Sequence, residues 1–375
     1  MNIEQVEVRR KAFAETRITS RPAPELAEGE VLARIDRFAL TANNVSYALS
    51  GDMIGYWQFF PVEEPWGIVP VWGFADIVES RCKAIGVGER IWGFLPMASH
   101  VVLRPTQVED RGFADGADHR AALPTIYNNY QRAAGDSPGM RALEDERCIL
   151  FPLFATSFII CDYLEDNAYF GANQVIVGSA SSKTGLGLCN LLMRRKGGRP
   201  RVIGLTSPRN LEFVRRLGVC DEVKTYDEIS ALDPSVSAAF VDMAGNAGVV
   251  AALHKVLGDS LKLSCGVGAT HWEAPRFRGE GAAVPHNFFF APAHVMKRDQ
   301  EWGAGEVSRR ASLEAARMSL ELREVLTVKR ESGATAVAAC FSRLVNNEVP
   351  ADVGVIASLA PLAGDGDALG EVSRG

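Results

Sequence analysis

No two of the seven cysteines (Cys82, Cys148, Cys161, Cys189, Cys220, Cys265 and Cys340) lie close together. An odd, scattered set supports neither a disulfide framework nor a Cys-x-x-Cys zinc site, so buried, reduced thiols are expected. The six histidines form no His-Glu-x-x-His and no other metal spacing, and no metal is expected. Basic residues are scattered and the net charge is −6, which leaves no footprint for a nucleic-acid partner. No apolar run reads as long enough to span a membrane, and the first residues, MNIEQVEVRRKAF, hold no apolar signal core. The expectation is a cytoplasmic protein with no membrane partner. No internal repeat is found.

What is present is an ordinary globular composition, 47% hydrophobic and 23% charged, over 375 residues, a length that suggests two domains. The first third reads as β-structure. VEVRRKAF, EVLARIDRFAL, WGFADIVES and ERIWGFLP alternate or run apolar between Gly and Pro turns, which suggests a small barrel. The middle changes character. LFPLFATSFIICDYLEDNAYFG has helical spacing, and strands and helices then alternate through QVIVGSA, TGLGLCNLLMRRKGG, RVIGLTS, PRNLEFVRRLG, AAFVDMAG, NAGVVAALHKVLG and SLKLSCGVG. Such alternation with short connections predicts a parallel, doubly wound sheet. After about residue 275 the chain turns Gly/Pro-rich and aromatic. SLEAARMSLELREVLTV and TAVAACFSRLVNN read as helices and VGVIASL as a last strand. The order, β-rich then βαβ then a mixed return, predicts one domain inserted in another: residues 150–275 within a domain of residues 1–149 and 276–375.

VIVGSASSKTGLG, at the first strand-to-helix turn of the alternating run, is the most informative stretch. A dinucleotide fingerprint needs glycines for the tight turn, for approach to the pyrophosphate and for helix packing. Ser179 and Ser182 stand where the first two belong, and Gly185 keeps the third. Ser181 and Ser182 have hydroxyls, Lys183 a charge, and Thr184 lies on the helix start, where free N–H groups attract anions. The alternative is a plain turn with a serine cap. The next strand ends in Thr206, Ser207 and Arg209 with no acid, which suits the 2′-phosphate of NADPH better than the ribose of NAD. FVDMAGN puts Asp242 and Gly245 at the carboxyl edge of the sheet, and GVGAT puts Gly266 and Gly268 there.

With these motifs placed, the chain resembles the medium-chain dehydrogenase/reductase superfamily, most closely its zinc-free quinone oxidoreductase and enoyl reductase branch. FATSFIICDYL is similar to the helix before that family's cofactor domain, LGVCDEVKTYDEI to a stretch whose tyrosine is here Tyr226, and VPADVGVIASL to its last strand. TANNVSYALSGD, GYWQFFP and SASSKTG are similar to a bacterial family of unknown function within that relationship. The Gly-His-Glu segment and four-cysteine lobe of zinc members are missing, and HRAALPTIYNNYQRAAGDSPGM looks like an addition to the usual plan.

The resemblance implies a Rossmann-type sheet inserted in a GroES-like β-rich barrel domain, NADPH as cofactor, a small apolar carbonyl substrate and a homodimer. It implies a reductase of an activated C=C or C=O, with a zinc-free ketone/alcohol oxidoreductase or a non-catalytic NADPH-binding sensor as alternatives. TANNVSYALSGD then occupies the active-site loop. Tyr47 is the first candidate proton donor there, and Asn43 and Asn44 are candidates to bind the substrate oxygen or the nicotinamide ribose. Tyr56, Trp57 and Phe60 of GYWQFFP, together with Tyr127 and with Phe289 of NFFFAP, are the candidate pocket lining. Tyr127 is the alternative acid. Core packing is the competing reading for the aromatic runs.

Overall fold

The computed structural model describes residues 1–267, 284–289 and 291–360. The chain divides into two compact units, Met1–Ile149 with the residues from Thr327 on, and Leu150–Leu326. The first boundary falls where the composition changes. The second lies well beyond residue 276, because the chain does not return to the β-rich unit there: residues 286–288 add a strand to the parallel sheet and two helices follow.

In the first unit the strands are β1 (Asn2–Arg9), β2 (Thr16–Pro22), β3 (Val31–Leu40), β4 (Trp66–Gly67), β5 (Pro70–Ser80), β6 (Arg90–Pro96), β7 (His100–Leu103), β8 (Pro105–Glu109), β9 (Gly112–Asp115) and β10 (Asn129–Arg132). Between β3 and β4 lie the helices α1 (Ala42–Leu49) and α2 (Gly51–Ile54); α3 (Pro138–Arg141) and α4 (Glu144–Asp166) follow β10.

The second unit carries β11 (Gln174–Gly178), α5 (Lys183–Met193), β12 (Arg201–Thr206), α6 (Leu211–Leu217), β13 (Glu222–Thr225), β14 (Ala238–Asp242), α7 (Ala247–Leu257), β15 (Leu261–Gly266), β16 (His286–Phe288), α8 (Ala291–Trp302) and α9 (Glu306–Leu322). β17 (Thr327–Ser332), α10 (Ala334–Val345) and β18 (Val353–Ser358) complete the first unit.

The β-rich unit holds a sheet in the order β17-β18-β3-β5-β6-β10-β9-β8, with β7 also on β3, and a small sheet β2-β1-β4. Antiparallel pairing dominates, as hairpin-length connections require; β17 and β18 are the parallel exception. Phe38, Phe59, Phe94 and Phe341 are fully buried in one core, to which α10 adds Val337 and Leu344. The segment read as an addition is part of this sheet: β10 pairs with β6 and β9. Tyr130 on β10 lies against Gly93, where a Cβ would stand 2.4 Å from the ring, and its hydroxyl donates to the Phe94 carbonyl at 2.6 Å.

One strand departs from the sequence reading. TVKRES was read partly as the end of a helix, yet it forms β17. Its residues are nearly all exposed and carry no apolar period; it is extended because it pairs along the edge offered by β18.

The second unit's sheet runs β13-β12-β11-β14-β15-β16, every pairing parallel. Numbered within this unit the order is 3-2-1-4-5-6, the order of dinucleotide-binding folds. β11 and β14 are buried at every residue, so QVIVG and AAFVD read as continuous apolar runs with no alternation. The fold is thus a GroES-like β-rich domain with a Rossmann-type sheet. Helix α4 corrects one expectation: by length and composition it is apolar enough to cross a membrane, and 72% of its most apolar window is buried inside the protein.

Candidate functional site

The order of the parallel sheet reverses between β11 and β14, and ligands of open α/β sheets bind beyond the carboxyl ends at such a point. The loop after β11 sits there. Ser179 has φ +54°, in the left-handed region that glycine adopts freely, so it does occupy the place of the fingerprint's first glycine. Its carbonyl accepts from the Ser182 N–H at 2.8 Å and closes the turn. Ser182 then caps α5, its Oγ accepting from the Gly185 N–H at 3.1 Å. Gly185 must lack a side chain, since a Cβ would stand 2.5 Å from the Ser179 carbonyl oxygen.

The backbone accounting of this turn shows where an anion fits. Ala180 N–H donates to the Leu205 carbonyl, and Ser179 N–H donates to the Tyr226 hydroxyl at 3.1 Å. Among the described residues, the amides of Ser181 and Thr184 meet no acceptor. They sit at the start of an eleven-residue helix, where the dipole is positive. Lys183 lies half-buried in the same turn.

Other predicted residues hold the loop in place. Thr206 is fully buried and its Oγ1 donates to Ser181 Oγ at 3.0 Å, so its hydroxyl is spent inside the protein; this corrects its reading as a ligand contact. Asn210, which the sequence reading missed, donates to the same oxygen from Nδ2 at 3.1 Å. A serine hydroxyl has two lone pairs and one proton, so two incoming donors leave that proton to be given outward. Asp242 is also corrected. Its carboxylate accepts from the Ala244 and Gly245 amides at 2.9 and 3.1 Å, making it the anchor of a turn, and Gly245 follows at φ +71°.

Tyr226 is mostly buried. Burial pushes its pKa up, against the bonds from Ser179. Ser207 opens a short turn, and Arg209 is exposed with no acidic partner among the described residues. Gly266 ends β15, where its carbonyl accepts from Phe289 N–H at 2.7 Å. Gly268 lies outside the described residues.

The β-rich unit gathers a second cluster. Tyr47 on α1 has ring centroids of Tyr56 and Phe94 at 4.6 and 5.4 Å, and Tyr127 lies 4.6 Å from Phe94. The Tyr56 and Tyr127 hydroxyls share a hydrogen bond of 2.7 Å. Tyr47 Oη accepts from Trp72 Nε1 at 3.0 Å. Burial among the rings and then the neighbouring Tyr127 push the Tyr47 pKa far up; hydrogen bonds from Trp72 and Asn43 pull it back only in part. Burial therefore favours the neutral phenol, which keeps its proton.

Trp72, Trp92 and Phe94 were not singled out from sequence, although a signal exists. The triplet Trp-Gly-Phe occurs on β5 (residues 72–74) and again on β6 (residues 92–94). The pairing register sets Trp72 opposite Phe94 and Phe74 opposite Trp92, so both tryptophans share a face as diagonal neighbours.

Four predicted residues have other work here. Asn44 belongs to a capping box: Oδ1 accepts from the Thr41 N–H at 2.7 Å and Nδ2 donates to the Pro70 carbonyl at 2.9 Å, which uses both ends of its amide. Trp57 packs over Gly51 and Gly67 with Phe13 and Arg10 around it. Phe60 lies 4.7 Å from the Arg120 guanidinium, in the surroundings of the buried Arg120–Asp115 pair. Phe289 lies in the parallel-sheet unit, 5.0 Å from Tyr163. Tyr47 and Tyr56 are brought together with Tyr127, which the sequence reading had set in a second aromatic cluster, and Asn43 hydrogen-bonds Tyr47.

A family described as "Protein of unknown function (DUF2855)" matches residues 38–350. No curated protein matches the chain. Among solved structures, the chain is similar to CurA in complex with NADPH from Vibrio vulnificus, at 12% identity, covering 96% of this chain and 99% of that one with a TM-score of 0.58. It is similar to mycobacterial Rv1454c complexed with NADPH at 15% identity, 95% and 99% coverage and TM-score 0.55. It is also similar to the quinone oxidoreductase from Coxiella burnetii at 12% identity, 96% and 99% coverage and TM-score 0.52. These likenesses extend over both units and bear on the fold.

Proposed function

We propose that this chain, which belongs to the DUF2855 family, is an NADPH-dependent oxidoreductase that reduces an activated C=C or C=O of a small apolar carbonyl compound such as an enone, a quinone or an acyl thioester. The observation that carries the reading is the pair of open amides, Ser181 and Thr184, at the start of α5 on the reversal point of the parallel sheet. Two of the similar structures being NADPH complexes supports the choice of cofactor.

The residues present fit such a group. The Ser181 and Thr184 amides, with the Ser181 hydroxyl and Lys183, would hold the pyrophosphate. Ser207 and the exposed Arg209 would take the 2′-phosphate, in a place where an acid would repel it. A bound nicotinamide supplies the hydride. Tyr47 holds a proton at Oη and gives it to the reduced substrate, and Asn43 orients the accepting oxygen. Tyr56 and Tyr127, whose ring planes stand 73° apart, supply aromatic walls beside Tyr47. The Tyr47 phenolate left behind takes its proton back from water.

The test is a titration of the protein with NADPH and with NADH, followed by nicotinamide fluorescence, repeated on Arg209→Asp. NADPH is expected to bind more tightly than NADH. The substitution should weaken NADPH by about 10- to 100-fold and leave NADH nearly unchanged, as for the loss of one charge-assisted bond. Product analysis with an enone then separates C=C reduction, which yields the saturated ketone, from C=O reduction, which yields the alcohol. Binding of neither nucleotide would overturn the reading.

A further inference from the structure

The β-rich unit's aromatic cluster contains a hydrogen bond whose direction is fixed by chemistry. An indole N–H donates and accepts nothing. Trp72 therefore cannot take the Tyr47 proton; it occupies a lone pair of the phenol oxygen at 3.0 Å and leaves the O–H for a third group. Asn43 also hydrogen-bonds the Tyr47 side chain, in the pKa-lowering sense of an amide N–H donating to the phenol oxygen, so neither contact takes the proton. The neighbouring phenols differ, because one proton is consumed between Tyr56 and Tyr127.

Trp72 is itself held rigidly. Its ring stacks on Trp92 with centroids 4.8 Å apart and planes 24° apart. On Trp92 lies the guanidinium of Arg147, 5.4 Å from the ring, and the same guanidinium stands 5.0 Å from Phe74. Arg147 is almost wholly buried and is anchored by Asp136 and by Gln131 at 3.1 Å. A charged group buried this deeply over one indole, with that indole stacked on the next, fixes the plane of Trp72 and so the direction of its N–H.

We propose that Trp72 is the positioning residue for Tyr47: seated on the Trp92–Arg147 stack, it holds the phenol oxygen as an acceptor so that the hydroxyl proton is presented to the substrate. This rests on the reading of Tyr47 as proton donor. The step it serves is transfer of the Oη proton to the substrate atom that gains electron density as hydride arrives; the O–H bond of Tyr47 breaks, a new O–H or C–H bond forms, and water restores the phenol.

The experiment compares Trp72→Phe, Tyr47→Phe and the double substitution in the full chain, with NADPH and trans-2-hexenal as probes, and follows the indole ¹⁵N–H resonances of the six tryptophans. The Trp72 resonance is identified by its loss in Trp72→Phe. We expect it to shift in Tyr47→Phe, whether or not the protein turns over. We expect Trp72→Phe to lower kcat by about 3- to 10-fold, the scale of one neutral hydrogen bond, at unchanged KM and NADPH affinity. In the Tyr47→Phe background the same change should cost nothing more.

An unmoved resonance would overturn the proposal, because no bond to Tyr47 would exist. So would an equal loss of kcat in both backgrounds, which would make Trp72 only a wall of the cluster. A shifted resonance in a chain that neither binds NADPH nor reduces the probe would instead overturn the oxidoreductase reading and reduce the Trp72 bond to a structural one.

Discussion

Gly185→Ala tests the turn on which the cofactor reading rests. The added Cβ would stand 2.5 Å from the Ser179 carbonyl oxygen and 3.1 Å from Ala180 Cα. Comfortable contact is about 3.5 Å, so the two must separate by roughly 1 Å. Both obstacles are backbone, and no rotamer change relieves them. Overpacking of this kind costs about 1–3 kcal/mol. Alanine's advantage over glycine in a helix offsets at most about 1 kcal/mol of that.

The net loss, centred near about 1.5 kcal/mol, lowers the melting temperature of a unit of this length by about 3–6 °C. The displacement also carries the Ser181 and Thr184 amides off a shared anion, and losing one charge-assisted bond weakens NADPH by about tenfold or more. The assays are thermal unfolding by circular dichroism and the nucleotide titration. Gly135→Ala is the control: no atom lies within 4 Å of its Cβ, and it should change stability by no more than about 0.5 kcal/mol. A Gly185→Ala protein that melts like the wild type would refute the clash. One that melts lower yet binds NADPH as before would refute the role of the turn in holding phosphate.

Two further outcomes concern the β-rich unit. Glu7 is buried and accepts from Gln5 at 2.6 Å, Arg17 at 2.6 and 2.9 Å, and Thr19 at 2.9 Å. Burial raises its pKa, but these bonds together hold it below the ordinary value. A folded-state pKa below the unfolded one gives stability above about pH 4.3 that is lost as pH falls through the folded value. Glu7→Gln should therefore cost about 1–3 kcal/mol at neutral pH, and the gap in urea stability should close in acid; a gap that widens there would be the contrary result. Arg120→Ala removes the partner of Asp115, 3.1 Å away with both side chains almost wholly buried. Stranding that carboxylate should cost about 3–5 kcal/mol in chemical unfolding; a loss under about 1 kcal/mol would mean that the amides of Arg104 and Ala117, which also bond Asp115, suffice for it.

The alternation of strand and helix was legible because β11, β12 and β14 are each a local apolar run followed by a helix. A parallel sheet buried on both faces writes itself as apolar segments between turns. The cap at Ser182 and the need for Gly185 were legible for a similar reason: a helix start is settled within four residues. The division at residues 149 and 150 coincides with a change of composition. β17 was not legible, since its polar residues are extended only through a partner strand more than twenty residues away in the chain. The end of the inserted unit was misplaced because the stretch after residue 275 is poor in periodic signal, while the docking of β16 on β15 is a pairing between distant segments.

Among site residues the division is the same. Residue type and local spacing determined that a small-residue turn opens α5 and that no acid ends β12; the stretch holding Asn43, Asn44 and Tyr47 was read as a loop and is the short helix α1. They could not determine what each side chain would be used for. Asn44, Thr206 and Asp242 have suitable chemistry for a ligand and are consumed by the protein's own caps and turns. Trp72 and Asn210, unremarked in the sequence, gain their places from register and packing. A donor or acceptor can be counted in a sequence, but whether it is already satisfied depends on partners brought in from elsewhere in the chain, and those meet only when the sheets close.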